Sequence, residues 1–176
     1  RRIKTIVQHL KDFARQTPSD MEQQINLKAV ADAAITILSA LIRKSTDHFQ
    51  FIAPEDSCCF VKGDFQKLEQ VIINLITNAC HALEDRSKSL SVTICCIHDS
   101  GKIRLSVADE GKGIPAAVLP HIFDPFFTTK RDSGGTGLGL SISYGIAQDH
   151  KGDLSVHSEL GKGSVFTLEL PSISKR

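Results

Sequence analysis

Asp64-Phe65-Gln66-Lys67-Leu68-Glu69-Gln70-Val71-Ile72-Ile73-Asn74-Leu75-Ile76-Thr77-Asn78-Ala79-Cys80-His81-Ala82-Leu83 is the stretch on which the reading of this chain turns. At about 100° per residue, Leu68, Val71, Ile72, Leu75, Ile76, Ala79 and Leu83 form one broad apolar arc. Gln70, Asn74, Asn78 and His81 fall on a narrow seam beside it. Asp64 is a good N-cap, so the segment is expected to be a helix from Asp64 to about Leu83. Its arc faces a core, and its seam is free to face a pocket. Taken alone, such Asn residues more often cap turns or cross-link helices. Because an unpaired buried carboxamide costs about 1–3 kcal/mol, each needs a partner.

Two glycine turns downstream suggest what that partner is. Asp109-Glu110-Gly111-Lys112-Gly113 follows a β-rich run, and Gly134-Gly135-Thr136-Gly137-Leu138-Gly139-Leu140 runs into an apolar helix. Of the 12 glycines, all but Gly63 lie between Gly101 and Gly163. That concentration points to one glycine-lined site. A carboxylate such as Asp109 at a strand end can accept from an exocyclic amine, which selects adenine over guanine, and glycines let the backbone approach a flat base. In the second turn, glycines free N–H groups to point at phosphate oxygens, and the following helix N-terminus adds its dipole. Asn carbonyl oxygens can ligate Mg²⁺ without neutralising it, and phosphate-bound Mg²⁺ takes few protein ligands. The combination reads as a nucleoside triphosphate with its metal ion, gripped by three separated segments. Neither the Walker GxxxxGK[ST] pattern nor a βαβ context for GxGxxG is present. Phe123-Asp124-Pro125-Phe126-Phe127, between the two turns, suits either core packing or the anchor of a lid; Lys130 just beyond suits a phosphate contact in the second case, and a solvated lysine, the commoner fate, in the first.

The remaining pattern is that of an α+β two-layer sandwich. Short strands are expected at Gln24 to Leu27, Phe49 to Ile52 and Cys59 to Val61. A single amphipathic helix is expected over Val30, Ala33, Ala34, Ile37, Leu38 and Leu41. A hairpin pairs Leu90 to Ile97 with Ile103 to Ala108 through His98-Asp99-Ser100-Gly101. A short helix at Ala116 to Ile122, a longer one at Leu138 to His150, and strands at Asp153 to Ser158 and Ser164 to Leu170 complete the pattern. Residues 1–17 carry the stripe Ile3, Ile6, Leu10, Phe13 of a bundle or coiled-coil helix, and Thr17-Pro18-Ser19-Asp20 breaks it. The domain boundary is therefore placed there, with 1–19 apart from 20–176.

Bulk properties narrow the class. With 176 residues, 41% hydrophobic and 23% charged, the chain has the make-up of a globular domain. Lys+Arg 21 against Asp+Glu 20, without a basic run, does not suggest a nucleic-acid partner. No apolar stretch approaches the ~20 residues of a membrane span. Cys58, Cys59, Cys80, Cys95 and Cys96 fit neither a disulfide framework nor CxxC zinc spacing. They are expected to be small buried hydrophobes, with Cys95 and Cys96 on opposite faces of a strand.

Together these motifs resemble the catalytic, ATP-binding domain of bacterial sensor histidine kinases, whose fold is shared with gyrase B, Hsp90 and MutL. Asn74 to Ala79 is similar to the family's N box, Asp109 to Gly113 to its first glycine box, Phe123 to Phe127 to its F box, and Gly135 to Gly139 to its second glycine box. Gly161-Lys162-Gly163-Ser164 resembles the terminal glycine turn. The resemblance implies a Bergerat-type fold: a mixed sheet of about five strands covered on one face by about three helices, plus an N-terminal helix. It implies ATP and Mg²⁺ as cofactors, with Asn78 on the metal and Asn74 near the phosphates or the ion. His81 sits where the family places a phosphate-binding basic side chain. Asp109 would accept from the adenine amino group, with Gly111, Gly113 and Ile114 shaping the base pocket. Gly135, Thr136, Gly137, Leu138 and Gly139 would wrap the triphosphate, with Lys130 nearby. Thr77 departs from the acidic or histidine residue that many members carry there.

Residues 1–17 resemble the end of the second helix of the dimerisation hairpin. His9, followed by Leu10-Lys11, lacks the context of the phosphorylated histidine. The implied reaction is transfer of the γ-phosphoryl group to a histidine on that hairpin, for relay to a response-regulator receiver domain. The implied intact protein is a homodimer with this domain in the cytoplasm and the inner membrane as a possible anchor point. Hydrolytic relatives place a glutamate where Asn74 stands, which favours kinase over hydrolase. A nucleotide-binding pseudokinase scaffold and an anti-sigma-type serine kinase are the alternatives.

Overall fold

The computed structural model describes residues 21–55, 58–128 and 136–173. Strand β1 (Gln24–Asn26) leads directly into α1 (Leu27–Ile37). Asn26 caps that helix, its Oδ1 accepting from the N–H groups of Lys28 (2.9 Å) and Ala29 (3.3 Å). Helix α2 (Ser39–Ser45) follows after a break at Leu38, then β2 (His48–Ile52) and β3 (Phe60–Lys62). The long helix α3 (Phe65–Ala82) carries the opening sequence, and Asp64 Oδ1 accepts from Lys67 N at 3.1 Å as its cap. Strands β4 (Ser89–Ile97) and β5 (Lys102–Asp109) form the expected hairpin, its turn a short 3-10 helix (His98–Ser100) closed by Gly101 at φ 63°. Helix α4 (Gly139–Asp149) and the hairpin β6 (Asp153–Glu159)–β7 (Gly163–Pro171) complete the order.

Five strands form a mixed sheet in the order β2-β4-β5-β7-β6, with β2–β4 parallel and the other pairs antiparallel. Alternation decides which face is covered. Leu90, Val92 and Ile94 of β4, Ile103, Leu105 and Val107 of β5, and Phe166, Leu168 and Leu170 of β7 are buried beneath the helices. Ser91, Thr93, Arg104, Ser106, Thr167 and Glu169 line the opposite, more exposed face. There Glu169 pairs with Lys102 (2.6 Å) and Arg104 (3.0 Å), and the two cations hold its carboxyl below the usual range. Helix α3 is the centre of the core. Its Leu68, Val71, Ile72, Leu75 and Ile76 are all fully buried. Such side chains stabilise by about 1.5–3 kcal/mol each.

Two details differ from the expectations. The single helix expected from Val30 to Leu41 is two, because the chain turns at Leu38 (φ -91°, ψ 6°). Ile37 is left 59% exposed while Ile42 goes into the core, and four α-helices stand among the described residues. The strand candidates on either side of Pro54 both form as expected: β2 joins the main sheet, and β3 pairs with β1 in a small two-stranded sheet. The short helix expected at Ala116 to Ile122 is a turn and a 3-10 helix, Leu119–His121. Pro120 within it has no N–H to donate, so regular α-helix cannot form there. The bundle helix expected at residues 1–17 lies outside the described residues.

Candidate functional site

Helix α3 supplies the floor of the site. Asn74, Thr77 and Asn78 are half-buried along one side of it. Asn74 Nδ2 donates to Ser143 Oγ of α4 at 3.0 Å, so this carboxamide does cross-link two helices. Its Oδ1 also lies only 2.4 Å from where a Cβ on Gly139 would sit, so the glycine lets α4 start against α3. Two turns further along α3, the carbonyl of Ala82 accepts from Lys112 N at 3.1 Å and lies 2.4 Å from a Cβ built on Gly111. The second glycine segment thus meets α3 at Asn74, and the first meets it at Ala82. Eight residues of helix, about 12 Å, separate the two contacts. Asn78 stands between them, and its side chain makes no hydrogen bond among the described residues.

Asp109 closes the far end. It is the last residue of β5 and only 7% exposed. Its Oδ1 accepts from Gly111 N at 2.9 Å, which fixes the carboxylate within its own turn. On the other side the turn is sewn to the β6–β7 hairpin. Gly161 N donates to Lys112 O (2.7 Å), and Ile114 N donates to Ser158 Oγ (2.8 Å). Gly113 has φ +70°, and a Cβ there would lie 2.1 Å from Glu159 O. Gly163 (φ +113°) passes as closely over the carbonyl of Asp109, at 1.9 Å. The glycines of this turn are therefore required by protein backbone on both sides, independently of any ligand. Glu110 holds the rim: its Oε2 accepts from Ser89 N at 2.9 Å, and that bond keeps its carboxyl below the usual range.

The second segment is held more lightly. Gly137 (φ +70°) packs on the backbone of Phe126, which itself has φ 65° and is 58% exposed. Phe123 stacks against Tyr144 of α4 (5.3 Å between ring centroids) and Phe127 against His121 (5.8 Å). Of the three phenylalanines, Phe123 and Phe127 pack against the core and Phe126 projects outward. Leu138 is 7% exposed and begins the turn into α4, with Thr136 Oγ1 accepting from its N–H at 3.4 Å. Lys130, Gly134 and Gly135 lie outside the described residues.

His81 ends the seam on α3. It is exposed and lines a cleft with Leu41, Ser45, Cys80, Leu83 and Arg86, on the side of α2. Neither this cleft nor the polar depression on the outer sheet face (Arg104, Ser106, Asp153, Ser155, Thr167, Glu169) includes Asn74, Asn78 or Asp109. The candidate site is an open surface of the described residues rather than a closed cavity.

Two supporting residues carry no sequence signal. Ser158 receives Ile114 N, donates to Gly163 O (2.9 Å) and contacts Ser164 Oγ (2.8 Å), joining the turn to the hairpin. His150 is buried at the end of α4. Its Nδ1 donates to Ile146 O (2.7 Å) and its Nε2 accepts from Asp64 N (3.0 Å), at the cap of α3. Burial pushes its pKa down, against the acceptor Ile146 O and the nearby Asp64 carboxylate. The neutral ring is what both bonds require.

The mixed sheet, the helical floor and the two glycine turns that meet it define an α+β module with an open candidate binding surface. The chain belongs to the histidine kinase-, DNA gyrase B-, and HSP90-like ATPase family, whose model matches residues 63–174. Sensor histidine kinase ZraS of Klebsiella oxytoca is 34% identical over 171 residues, which is 97% of this chain and 36% of that protein. The catalytic domain of histidine kinase ThkA superposes with a TM-score of 0.73 at 33% identity, covering 85% of this chain and 96% of that one. ThkA in complex with the response regulator protein TrrA superposes with a TM-score of 0.78 at 30% identity, over 99% of this chain and 49% of that one. The chain spans 25–36% of the length of the first curated relatives it matches. It is thus an ATP-binding domain of the histidine kinase type. No helix among the described residues is long and apolar enough to cross a membrane.

Proposed function

We propose that residues 20–176 bind Mg-ATP and pass its γ-phosphoryl group to a histidine of a dimerisation hairpin, from which an aspartate of a response-regulator receiver domain receives it. Residues 1–19 are the C-terminal part of that hairpin's second helix. The observation that carries this reading is the placement of Asn78 on α3 between the contacts at Gly139 and Gly111, with Asp109 fixed beyond them.

The donor chemistry fits the ligand. The Asn78 carboxamide makes no hydrogen bond to a described residue, which leaves its oxygen available for a hard cation. When bound, Mg²⁺ offsets phosphate charge. Asp109, held by Gly111 N, accepts from the adenine amino group, and Ile114 packs beside the base. Thr136, Gly137, Leu138 and Gly139 direct their backbone at the phosphates where α4 begins. Gly135 and Lys130, outside the described residues, and the exposed side chain of His81, one turn beyond Asn78 on α3, are the further phosphate candidates. Asn74, tied to Ser143, keeps α4 in register with Asn78 and offers no base to activate water. Phosphoryl transfer depends chiefly on such positioning. The relatives' names and the ThkA–TrrA complex support the same assignment.

Calorimetry with a nonhydrolysable ATP analogue tests it. Binding is expected only with Mg²⁺ present, and Asn78→Ala is expected to remove the magnesium-dependent part and labelling of an added hairpin domain while the fold persists. Unchanged phosphotransfer in that variant removes Asn78 from the site. Asp109→Asn is expected to weaken binding about tenfold to a hundredfold, as loss of a buried charge-assisted bond does; equal affinity counts against the adenine contact.

A further inference from the structure

Cys96 is the last inward-facing residue of the β4 row Leu90, Val92, Ile94, Cys96. The chain leaving β2 returns to β3 across that end of the sheet and carries Cys58 and Cys59 to it. Cys96 Sγ donates to Cys58 O at 2.9 Å, while the Sγ atoms of Cys58 and Cys59 donate to Glu55 O at 3.2 and 3.7 Å. The three sulfur atoms all lie within 4.8 Å of one another, with Cys59 buried and Cys58 and Cys96 half-buried. Among the described residues no other His, Cys, Asp or Glu cluster of three is as close. Cys95 points to the opposite face and is exposed, and Cys80 lies on α3.

We infer that Cys58, Cys59 and Cys96 form a site for one soft thiophilic cation of the zinc or copper(I) class. Three sulfurs bound at about 2.3 Å to one ion lie about 4 Å apart, within the spread seen here. Thiolate sets select soft ions over Mg²⁺, which takes oxygen. Coordination replaces three S–H bonds by three S–metal bonds, and the protons pass to buffer. The half-buried Cys58 and Cys96 leave the ion an entry path. In the hairpin register Leu90 faces Asp109, whereas Cys96 faces Ile103, six residues along β4. The cluster is therefore about 20 Å from the proposed nucleotide end. Such an ion would clamp the β2–β3 connection onto β4 without touching the Asn78 site, so it is independent of the assignment above.

The test uses the intact chain, fully reduced. Titration with Cd²⁺ alone is expected to give thiolate-to-metal charge-transfer absorption saturating at one ion per chain. Zn²⁺ in competition with a chromophoric chelator is expected to bind with the same stoichiometry and raise Tm. Cys96→Ser and Cys58→Ser are each expected to lower Zn²⁺ affinity at least a hundredfold, whereas Cys95→Ser and Cys80→Ser leave it within twofold. Binding of the ATP analogue to Cys96→Ser is expected to be unchanged, which separates this site from the nucleotide site. Cd²⁺ absorption of equal strength in Cys96→Ser overturns the proposal. So does a reduced wild-type chain that takes up neither ion, or thiol titration showing that these cysteines react only by forming a disulfide.

Discussion

The two glycine segments look alike in sequence and are held in different ways. Gly111 and Gly113 are pinned by backbone carbonyls, Ala82 O on one side and Glu159 O on the other. Gly139 is pinned by a side chain, Asn74, and Gly137 by the backbone of an exposed phenylalanine. Backbone in a sheet and a helix end does not yield, whereas a carboxamide can swing. The first turn is therefore part of the fold's frame, and the second is adjusted by contacts that can be remade.

Substitution at Gly113 gives the largest effect. Gly113→Ala is expected to destabilise by about 4 kcal/mol or more, because positive φ and a backbone clash add. Gly101→Ala is its control. Gly101 has φ +63° with nothing within 4 Å of the added Cβ, so only the left-handed cost of about 1–2 kcal/mol should appear in urea unfolding. Equal losses at the two positions would mean that Glu159 O moves aside, and the contrast between the segments would fail.

Gly139→Ala comes next. Its Cβ meets Asn74 Oδ1, so the expected cost is about 1–3 kcal/mol from the displaced carboxamide, with ATP binding lost more completely than stability. Ser143→Ala isolates the other half of that contact and is expected to cost about 1 kcal/mol. If Gly139→Ala unfolds the chain as Gly113→Ala does, the second segment is as rigid as the first.

The smallest effect is in pH. His150 is neutral when folded, with its pKa lowered mainly by burial. The unfolded chain binds the proton first, so its contribution is full above pH ~6.5 and is lost as pH falls through the lowered folded value. Tm is expected to decline over that window in the wild type and to decline less in His150→Gln. Identical slopes would show that other groups set the acid limb.

Local chemistry made much of this legible. Asp64 as cap, the apolar arc of α3 and the His98–Gly101 turn all depend on neighbours in sequence, and each stands where the pattern places it. The glycine turns around Gly111, Gly113 and Gly139 were legible as turns for the same reason. What was not legible is contact between distant segments. Parallel pairing of β2 with β4, the reach of His150 to Asp64, and Ser158 under Ile114 each join residues far apart in the chain. The break at Leu38 is a choice between two apolar faces that tertiary packing decides. The cysteines show the limit most clearly. Their spacing reads as unremarkable, and only the return of the chain from β2 to β3 gathers three sulfurs.

The small sheet of β1 and β3 is finished by neither strand. Ser172 bridges Val61, and Ile173 N donates to Phe60 O at 2.9 Å. This corner is therefore completed only by residues more than a hundred positions beyond β3. A chain lacking residues 172 and 173 would lose the donor that Ile173 gives the Phe60 carbonyl, although the strands and helices around the α3 floor would all be present.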